Sequence, residues 1–203
     1  FKIPSTLERP LVFGLLRLPR PVLRRMAKQH TSADGLTLDP QIALVLELMR
    51  LTKEPELTDG SVEDARAQLD RTAPMLDFRV ADVGTEDRYI PCAAGSRRAR
   101  IYNPRSRGRG ALVWFHGGGF VIGSIESHDG VCRKLAERAG ILVVSVDYRL
   151  SPEHPFPAAA DDAAAATRWV IANAASLGVD PTKVAVGGDS AGGNLSALTA
   201  ITL

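Results

Sequence analysis

The stretch from Lys183 to Leu203, KVAVGGDSAGGNLSALTAITL, decides the fold of this chain. It reads as a short apolar strand, a glycine-rich turn that carries Ser190, and the first turns of a helix. Gly188 to Gly192 fit the pattern G-x-S-x-G directly after the strand, which is the setting that a nucleophile elbow requires. A serine on so sharp a turn crowds the residues two positions away on either side, so neither can carry a bulky side chain. A plain glycine-rich strand-to-helix turn is the alternative interpretation.

A second glycine motif follows an earlier apolar strand. His116-Gly117-Gly118-Gly119-Phe120 comes straight after ALVWF, and three glycines at a strand end let backbone N–H groups approach a ligand closely. Acyl transfer needs such donors where a carbonyl oxygen becomes negative, and each is worth about 3 kcal/mol of transition-state stabilisation. The sequence lacks the G-K-[ST] and spaced G-x-G-x-x-G patterns of phosphate-binding loops. Together the two motifs predict a site for acyl transfer.

Five strand-like segments follow residue 77. The sequences FRVADVGTEDRYIP (78–91) and RARIYNP (98–104) alternate in polarity and predict an antiparallel pair at a sheet edge. ALVWFHG (111–117), ILVVSVDYR (141–149) and KVAVGGD (183–189) are continuously apolar, as expected for parallel strands covered on both faces.

Two helices are predicted between these strands, HDGVCRKLAERAG (128–140) and PAAADDAAAATRWVIANAASLG (157–178). Gly140 and Gly178 are expected to close them, and Asp161 and Asp162 to complement the dipole in the first turn of the second. Alternation of strands and helices predicts right-handed crossovers and an α/β fold, with a mostly parallel sheet and helices on both faces.

Residues 1–77 are predicted to form a helical region of their own. Asp39 is an expected N-cap with Pro40 at the first helical position, and Ser61 with Asp64 forms an approximate capping box. One stripe of the helix after Pro40 carries Ile42, Leu46 and Met49. The stretch LVFGLLRLPRPVLRRMAK (11–28) mixes leucines with arginines, which favours a helix packed on its own domain over a membrane-surface helix.

Composition indicates a soluble globular protein. The 203 residues are 45% hydrophobic and 24% charged, and a net charge of +2 gives no general attraction to nucleic acid or anionic membrane. One arginine-rich run has no interleaved aromatic residues, which favours a solvated edge strand and loop over a nucleic-acid site. Its arginines are Arg97, Arg98, Arg100, Arg105, Arg107 and Arg109.

The two cysteines, Cys92 and Cys132, are too few and too far apart for a disulfide framework or a thiolate metal cluster. They predict reduced thiols in a cytoplasmic protein. No apolar run approaches the length of a membrane span. The chain begins at Phe1 rather than methionine, so any leader peptide is out of view.

Three motifs together resemble one family. HGGGF (116–120), DYRLSPEHPFPAA (147–159) and GDSAGGNLSA (188–197), in this order and spacing, resemble the bacterial hormone-sensitive-lipase-like esterases of the α/β-hydrolase superfamily. The resemblance runs from about Phe78 to the end. It implies an N-terminal cap over residues 1–77 and the N-terminal part of an α/β-hydrolase catalytic domain over residues 78–203.

The resemblance also implies roles for individual residues. Ser190 is the expected nucleophile, and the amides of Gly118, Gly119 and Ala191 are the expected oxyanion donors, with Gly117 as an alternative to one of the loop pair. The triplet Asp147, Tyr148 and Arg149 matches a family motif interpreted as scaffolding of the active-site loops.

All four histidines precede Ser190, whereas the triad of an α/β-hydrolase runs serine, acid, histidine along the chain. None is therefore expected to be the general base. His116 is expected to brace the glycine turn, His128 and His154 to form local hydrogen bonds, and His30 to lie at the surface. No pair has metal-ligand spacing with a carboxylate, so no metal is expected.

The absence of an acid and a histidine after Ser190 predicts that these residues are an incomplete piece of a longer esterase. The triad aspartate and histidine are expected beyond Leu203, together with the C-terminal part of the sheet. An apolar edge would then be exposed along KVAVGGD. We expect the isolated piece to be poorly soluble and at least about a thousandfold less active than the whole enzyme.

The sequence thus predicts a serine carboxylesterase or lipase-like hydrolase of short to medium acyl esters, acting through an acyl-enzyme on Ser190. Its partner is a small-molecule ester, with no cofactor, no nucleic acid, and membrane contact disfavoured. The alternatives are a non-catalytic hydrolase-fold module that binds a small molecule, and an interaction role for the N-terminal helices at a membrane surface. The sequence leaves the oligomeric state open.

Overall fold

The structure, a computed structural model, describes residues 5–27, 30–52, 56–76 and 82–203. The chain divides into two compact units, Phe1–Gly60 and Ser61–Leu203. The boundary predicted after Asp77 lies outside the described residues.

The described residues of the first unit form three helices, α1 (Ser5–Leu16), α2 (Arg20–Met26) and α3 (Pro40–Thr52). α3 begins as predicted, because the Gln41 N–H donates to Asp39 Oδ1 at 2.8 Å. A small apolar core holds the unit together and consists of Leu16, Leu23, Ala27, Ala43 and Leu44.

The apolar stripe predicted on α3 is not its buried side. Ile42, Leu46 and Met49 are each about half exposed. Ala43 and Leu44 are buried instead, against leucines of α1 and α2. The helix is apolar on more than one side, so periodicity alone did not identify the side that packs.

The second unit begins with helix α4 (Val62–Thr72). Its N-terminus carries the predicted capping box, in which Ser61 Oγ accepts from the Asp64 N–H and the Asp64 carboxylate accepts from the Ser61 N–H. A short 3₁₀ turn, Ala73–Leu76, follows, and both elements pack against the helix that comes after the glycine loop. The second compact unit thus includes α4 and this turn as well as the strands.

In the part of the chain that the structure describes, five strands form one sheet in the order β1-β2-β4-β3-β5. Their bounds are β1 (Gly84–Cys92), β2 (Gly95–Asn103), β3 (Ala111–Phe115), β4 (Leu142–Val146) and β5 (Val184–Gly188). β3, β4 and β5 are parallel, as predicted, and β2 is antiparallel to both β1 and β4. Among the described strands only β2 opposes the common direction, so the mostly parallel sheet is confirmed, with β1 and β5 at its ends.

Helices cover both faces of this sheet, which confirms the expected α/β architecture. α5 (Ile125–Ala139) packs on one face, where its Cys132 contributes to a core with Tyr102 and Val143. On the other face α6 (Ala158–Ala172) and α7 (Ala191–Thr202) pack on the strands. That core includes Val113, Phe115, Val144, Val146, Ala163, Ala166, Val170 and Leu195. Burying a valine or leucine side chain contributes about 1.5–3 kcal/mol, so this two-sided burial fixes the register of the parallel strands.

Helix ends follow the glycine prediction once and depart from it once. α5 ends with Gly140 in the left-handed conformation, at φ +60°. α6, predicted to reach Gly178, ends at Ala172, and the chain continues to Gly178 in hydrogen-bonded turns, in which the Leu177 N–H donates to Asn173 O at 3.1 Å. Asp161 lies in the first turn of α6 as expected, whereas Asp162 is buried.

The arginine run is largely paired with carboxylates. Arg98 contacts Glu126 and Asp147, and Arg100 contacts Asp87, Glu126 and Asp129. These pairs join β1 and β2 to the N-terminal part of α5. The positive charges of Arg98 and Arg100 on β2 are thus paired with carboxylates of the same unit.

Candidate active site

Ser190 lies on the turn between β5 and α7, as the G-x-S-x-G pattern predicts. Its backbone has φ +50° and ψ −116°, a conformation that non-glycine residues rarely adopt. The residue is exposed, and within the described part of the chain its hydroxyl makes no hydrogen bond. The Asn194 N–H donates to Ser190 O at 3.1 Å, so helix α7 starts directly at the serine and directs its N-terminal N–H groups toward it.

The two outer glycines of the motif are required by close approach of β3. A Cβ atom on Gly188 would lie 2.6 Å from the carbonyl carbon of Gly192 and closer still to Phe115 O. A Cβ on Gly192 would lie 2.6 Å from the Phe115 carbonyl carbon and 2.8 Å from His116 O. No side chain fits at either position, as expected for the crowded residues on either side of so sharp a turn.

The glycine loop His116–Gly119 follows β3, next to β5 in the sheet, with Phe115 paired to Gly188. Because carboxyl ends of parallel strands meet at one edge, the loop and Ser190 lie at the same edge of the sheet. This is the crevice position at which open α/β sheets bind ligands.

The carbonyls of His116, Gly117 and Gly118 each have a hydrogen-bond donor. Tyr148 Oη donates to His116 O at 2.6 Å, and His116 Nδ1 lies 2.8 Å from Gly117 O. The N–H groups of Val121 and Ile122 both donate to Gly118 O at 3.0 Å. In a trans peptide the N–H points opposite to the preceding C=O, so fixing these three carbonyls also fixes the directions of the next three N–H groups.

Of those N–H groups, one has an acceptor. The Gly117 N–H donates to Asp189 Oδ1 at 2.9 Å. The N–H groups of Gly118, Gly119 and Ala191 have no acceptor among the described residues. This geometry favours Gly118 and Gly119 as the loop donors and disfavours the alternative in which Gly117 replaces one of them.

His116 braces the loop rather than serving Ser190. Its side chain is buried and stacks on Tyr148 with ring centroids 4.4 Å apart. Because Gly117 O accepts only, His116 Nδ1 carries the proton in this contact. Burial lowers the pKa of His116, which keeps the ring neutral and the tautomer fixed.

Asp189 is a neighbour of the site to which the sequence analysis gave no role, and it contacts His128. His128 Nε2 lies 3.2 Å from Asp189 Oδ1, and its Nδ1 lies 2.9 Å from Ser127 Oγ. The second contact is the expected local bond, whereas the first spans 61 residues of sequence. Asp189 thus joins the nucleophile turn to both the glycine loop and α5. Its place beside Ser190 in the motif was the available signal.

The other two histidines are not brought to this cluster. His30 lies in the first unit and is exposed. His154 is exposed in the loop after β4, where its N–H donates to Leu150 O at 2.9 Å. In the described part of the chain, no histidine forms a hydrogen bond with Ser190.

The Asp147-Tyr148-Arg149 triplet contacts the surrounding loops. Asp147 Oδ1 accepts from the Ile125 N–H at 2.9 Å, at the start of α5. Arg149 Nε donates to the buried carboxylate of Asp162 at 2.8 Å. Together with the Tyr148 bond to the glycine loop, these contacts support the scaffolding role implied by the resemblance.

Other chemistries find little support among the described residues. No group of three histidine, cysteine, aspartate or glutamate side chains there is arranged to hold a metal ion. Burial raises the pKa of Cys92 to about 11 and that of Cys132 to about 12, so neither thiol is an activated nucleophile. Within the same residues, no helix combines the length and the apolarity needed to cross a bilayer.

Comparison with known proteins gives the same fold. Residues 112–203 match a family described as the alpha/beta hydrolase fold. The chain is 41% identical over 185 residues to the carboxylic ester hydrolase LipN of Mycobacterium tuberculosis, covering 89% of this chain and 49% of that protein. It is 43% identical over 168 residues to the carboxylesterase NlhH of the same species, covering 80% of this chain and 51% of that protein.

Among solved structures, a hyperthermophilic esterase from the archaeon Pyrobaculum calidifontis superposes with a TM-score of 0.74 at 47% identity, covering 81% of this chain and 53% of that one. The chain spans about half the length of the curated relatives it matches. The similarity to α/β-hydrolase esterases that the three motifs indicate is thereby confirmed.

Proposed function

Because this chain has the α/β-hydrolase fold, we propose that it carries the nucleophile and the oxyanion donors of a serine carboxylesterase acting on short to medium acyl esters. One observation carries the proposal. Ser190 lies on a positive-φ turn, and among the described residues its hydroxyl has no hydrogen-bond partner and two N–H groups of the loop after the neighbouring strand have no acceptor. No cofactor is part of this chemistry.

In the proposed reaction, Ser190 Oγ attacks the carbonyl carbon of the ester, and the carbonyl π electrons move onto oxygen. The N–H groups of Gly118, Gly119 and Ala191 donate to that oxyanion, in a preorganised arrangement that needs no reorganisation during the step. Collapse of the tetrahedral intermediate breaks the bond to the alcohol, which leaves with a proton. Water then attacks the acyl-enzyme and releases the acid and free Ser190.

The serine proton must pass to a general base. Both ring nitrogens of His128 are engaged, by Ser127 and Asp189, and His116 is committed to the glycine loop. We therefore assign the base to none of the four histidines, in accord with the chain order of this fold. The N-terminal helical region, residues 1–77, is proposed as the cap of the esterase on the resemblance alone.

The test uses the full-length protein, a fluorophosphonate probe and p-nitrophenyl butyrate. We expect wild type to be labelled and to turn over the ester, and Ser190→Ala to lose both activities. Ser176→Ala is the matched control, since that exposed hydroxyl bonds only to Asn173 O. Labelling that persists in Ser190→Ala, or is lost in the control, contradicts the assignment.

A non-catalytic module that binds a small molecule is the second candidate. It is favoured by one observation, the lack of any hydrogen bond from a described histidine to Ser190. Saturable binding of the ester to wild type, without labelling or turnover, would select this candidate over the esterase.

A further inference from the structure

The segment Phe120–Ser124 joins the glycine loop to α5 and is held in a conformation that its sequence does not favour. Phe120 has φ +64°, in the left-handed region where a bulky residue is an outlier. Such a backbone persists only when surrounding contacts over-determine it. The same segment supplies the Val121 and Ile122 N–H groups that fix the Gly118 carbonyl. A contact that fixes Val121 therefore also helps to set the direction of the Gly119 N–H.

Arg66 of helix α4 contacts this segment from 55 residues earlier in the chain. Its Nε donates to Val121 O at 2.8 Å, and its Nη2 donates to Ser151 O at 3.0 Å. The guanidinium also makes two bonds of 2.8 Å to the Glu153 carboxylate. The planar fork thus spans the loop after β3 and the loop after β4.

Those two loops are also joined directly. The Ser151 N–H donates to Phe120 O at 2.8 Å. The carbonyls of Phe120 and Val121 are consequently both fixed, one by Ser151 and the other by Arg66. Because these two neighbouring carbonyls accept hydrogen bonds from two separate residues, the Phe120–Val121 peptide has little freedom to rotate.

A second residue of α4 holds the far end of the segment. Asp70, one turn after Arg66, accepts a hydrogen bond from the hydroxyl of Ser124, the N-cap of α5. Positions i and i+4 lie on the same side of a helix, so one side of α4 contacts both Val121 and Ser124. A Cβ on Gly123, between them, would collide with Gly117 O and the His116 ring, which shows how closely the segment packs under the loop.

We propose that Arg66 is a positioning residue for the oxyanion loop, acting through Val121 O to orient the Gly119 N–H. The inference rests on the proposed esterase function and extends it to helix α4. Loss of the guanidinium fork lets the Val121 turn relax, so Gly118 O and the opposed Gly119 N–H tilt. Because that donor acts on the oxyanion rather than on the bound ester, the loss falls on kcat and leaves KM nearly unchanged.

Two variants distinguish the hydrogen bonds by which Arg66 positions the loop from the ion pair that it forms with Glu153. Arg66→Lys keeps a cation beside Glu153 but loses the planar fork that reaches both carbonyls. Glu153→Gln does the reverse, since it removes the ion pair and leaves the carbonyl bonds intact. The Glu153 side chain is 53% exposed, and exposed ion pairs contribute little to stability, so Glu153→Gln is the matched control.

Kinetics and hydrogen exchange are measured on the full-length protein with p-nitrophenyl butyrate. We expect Arg66→Lys to lower kcat by about tenfold or more with KM within about twofold, since small misplacements of a catalytic group cost this much. Amide exchange over residues 118–124 should accelerate in Arg66→Lys and not in Glu153→Gln. Thermal unfolding of Glu153→Gln should remain close to that of wild type, whereas Arg66→Lys should unfold at a lower temperature because two carbonyls lose their donor, and both variants should be folded at the assay temperature.

A kcat unchanged in Arg66→Lys, or lowered equally in Glu153→Gln, overturns the inference. Should wild type neither hydrolyse the ester nor label at Ser190, the proposed function fails, and hydrogen exchange still decides the role of Arg66. Faster exchange over residues 118–124 in Arg66→Lys then supports it as the residue that holds the loop, and unchanged exchange overturns it.

Discussion

The serine turn after β5 and the glycine loop after β3 lie at the same edge of the sheet but are held in different ways. The serine turn is held by packing, because Gly188 and Gly192 allow it to close onto the backbone of Phe115. The glycine loop is held by hydrogen bonds to its carbonyls, some from residues far along the chain such as Tyr148. The turn has no room for an added atom at either outer glycine, whereas the loop, although it has no room at Gly118, also depends on several separate hydrogen bonds and should lose its geometry in steps as they are removed.

The largest expected effect is that of Gly192→Ala. The added methyl group collides with the Phe115 backbone, which has no side-chain freedom with which to yield. We expect fluorophosphonate labelling and kcat to fall by at least about a thousandfold, as when a nucleophile is removed from its setting. Gly193→Ala is the control, since a Cβ there would lie 3.4 Å from Gly188 O, close to ordinary contact. Comparable losses in both variants would show that packing does not set the turn.

A smaller effect is expected within the glycine loop, from the pair Gly118→Ala and Gly119→Ala. Gly118 has φ +121°, and a Cβ atom there would collide with the Ile122 backbone. A Cβ atom on Gly119 would meet nothing within 4 Å. Gly118→Ala should lower kcat about a hundredfold by tilting a donor. Gly119→Ala carries only the strain of φ +61°, about 1–2 kcal/mol, or roughly five- to thirtyfold at most. Steady-state kinetics on both would test the ranking, and the reverse order would refute it.

The smallest effect is expected for Tyr148→Phe, which removes one donor and leaves the ring stacked on His116. The orphaned carbonyl of His116 should cost about 1–3 kcal/mol of unfolding free energy. We expect kcat to fall about tenfold or less, because the other loop carbonyls keep their donors. Urea unfolding and ester kinetics measure the two effects. Tyr89→Phe is the control, since that side chain is 75% exposed, and an equal loss there would contradict the role of Tyr148.

The serine turn and the glycine loop also differ in how much of their structure the sequence could predict. The serine turn, the parallel strands and the capping box of α4 depend on residues within a few positions of one another, and all three are found as expected. The glycine loop was identified from its own residues, but its supports were not. Asp189 lies 72 residues from Gly117, and Arg66 lies 55 from Val121. No period or motif connects such pairs.

One local prediction was wrong. α6 ends at Ala172 rather than at Gly178, although the Asn173 N–H still donates to Trp169 O at 2.9 Å and the residues that follow form turns. The pattern of α3 predicted an apolar stripe but did not show which side of the helix the leucines of α1 and α2 cover. There, tertiary packing decided the buried side.

Every N–H group that the proposal assigns to the oxyanion belongs to the main chain. An amide of this kind has no codon of its own, so no exchange of one side chain for another deletes it except replacement by proline, and other inherited change reaches it through its orientation. A systematic alanine scan would for the same reason pass over these groups while reporting the residues around them. Replacing the peptide link before Gly119 by an ester through chemical ligation would remove that single donor and keep every side chain. Evolutionary change in these donors should therefore be gradual, because it acts through the orientation of the backbone rather than through any one residue.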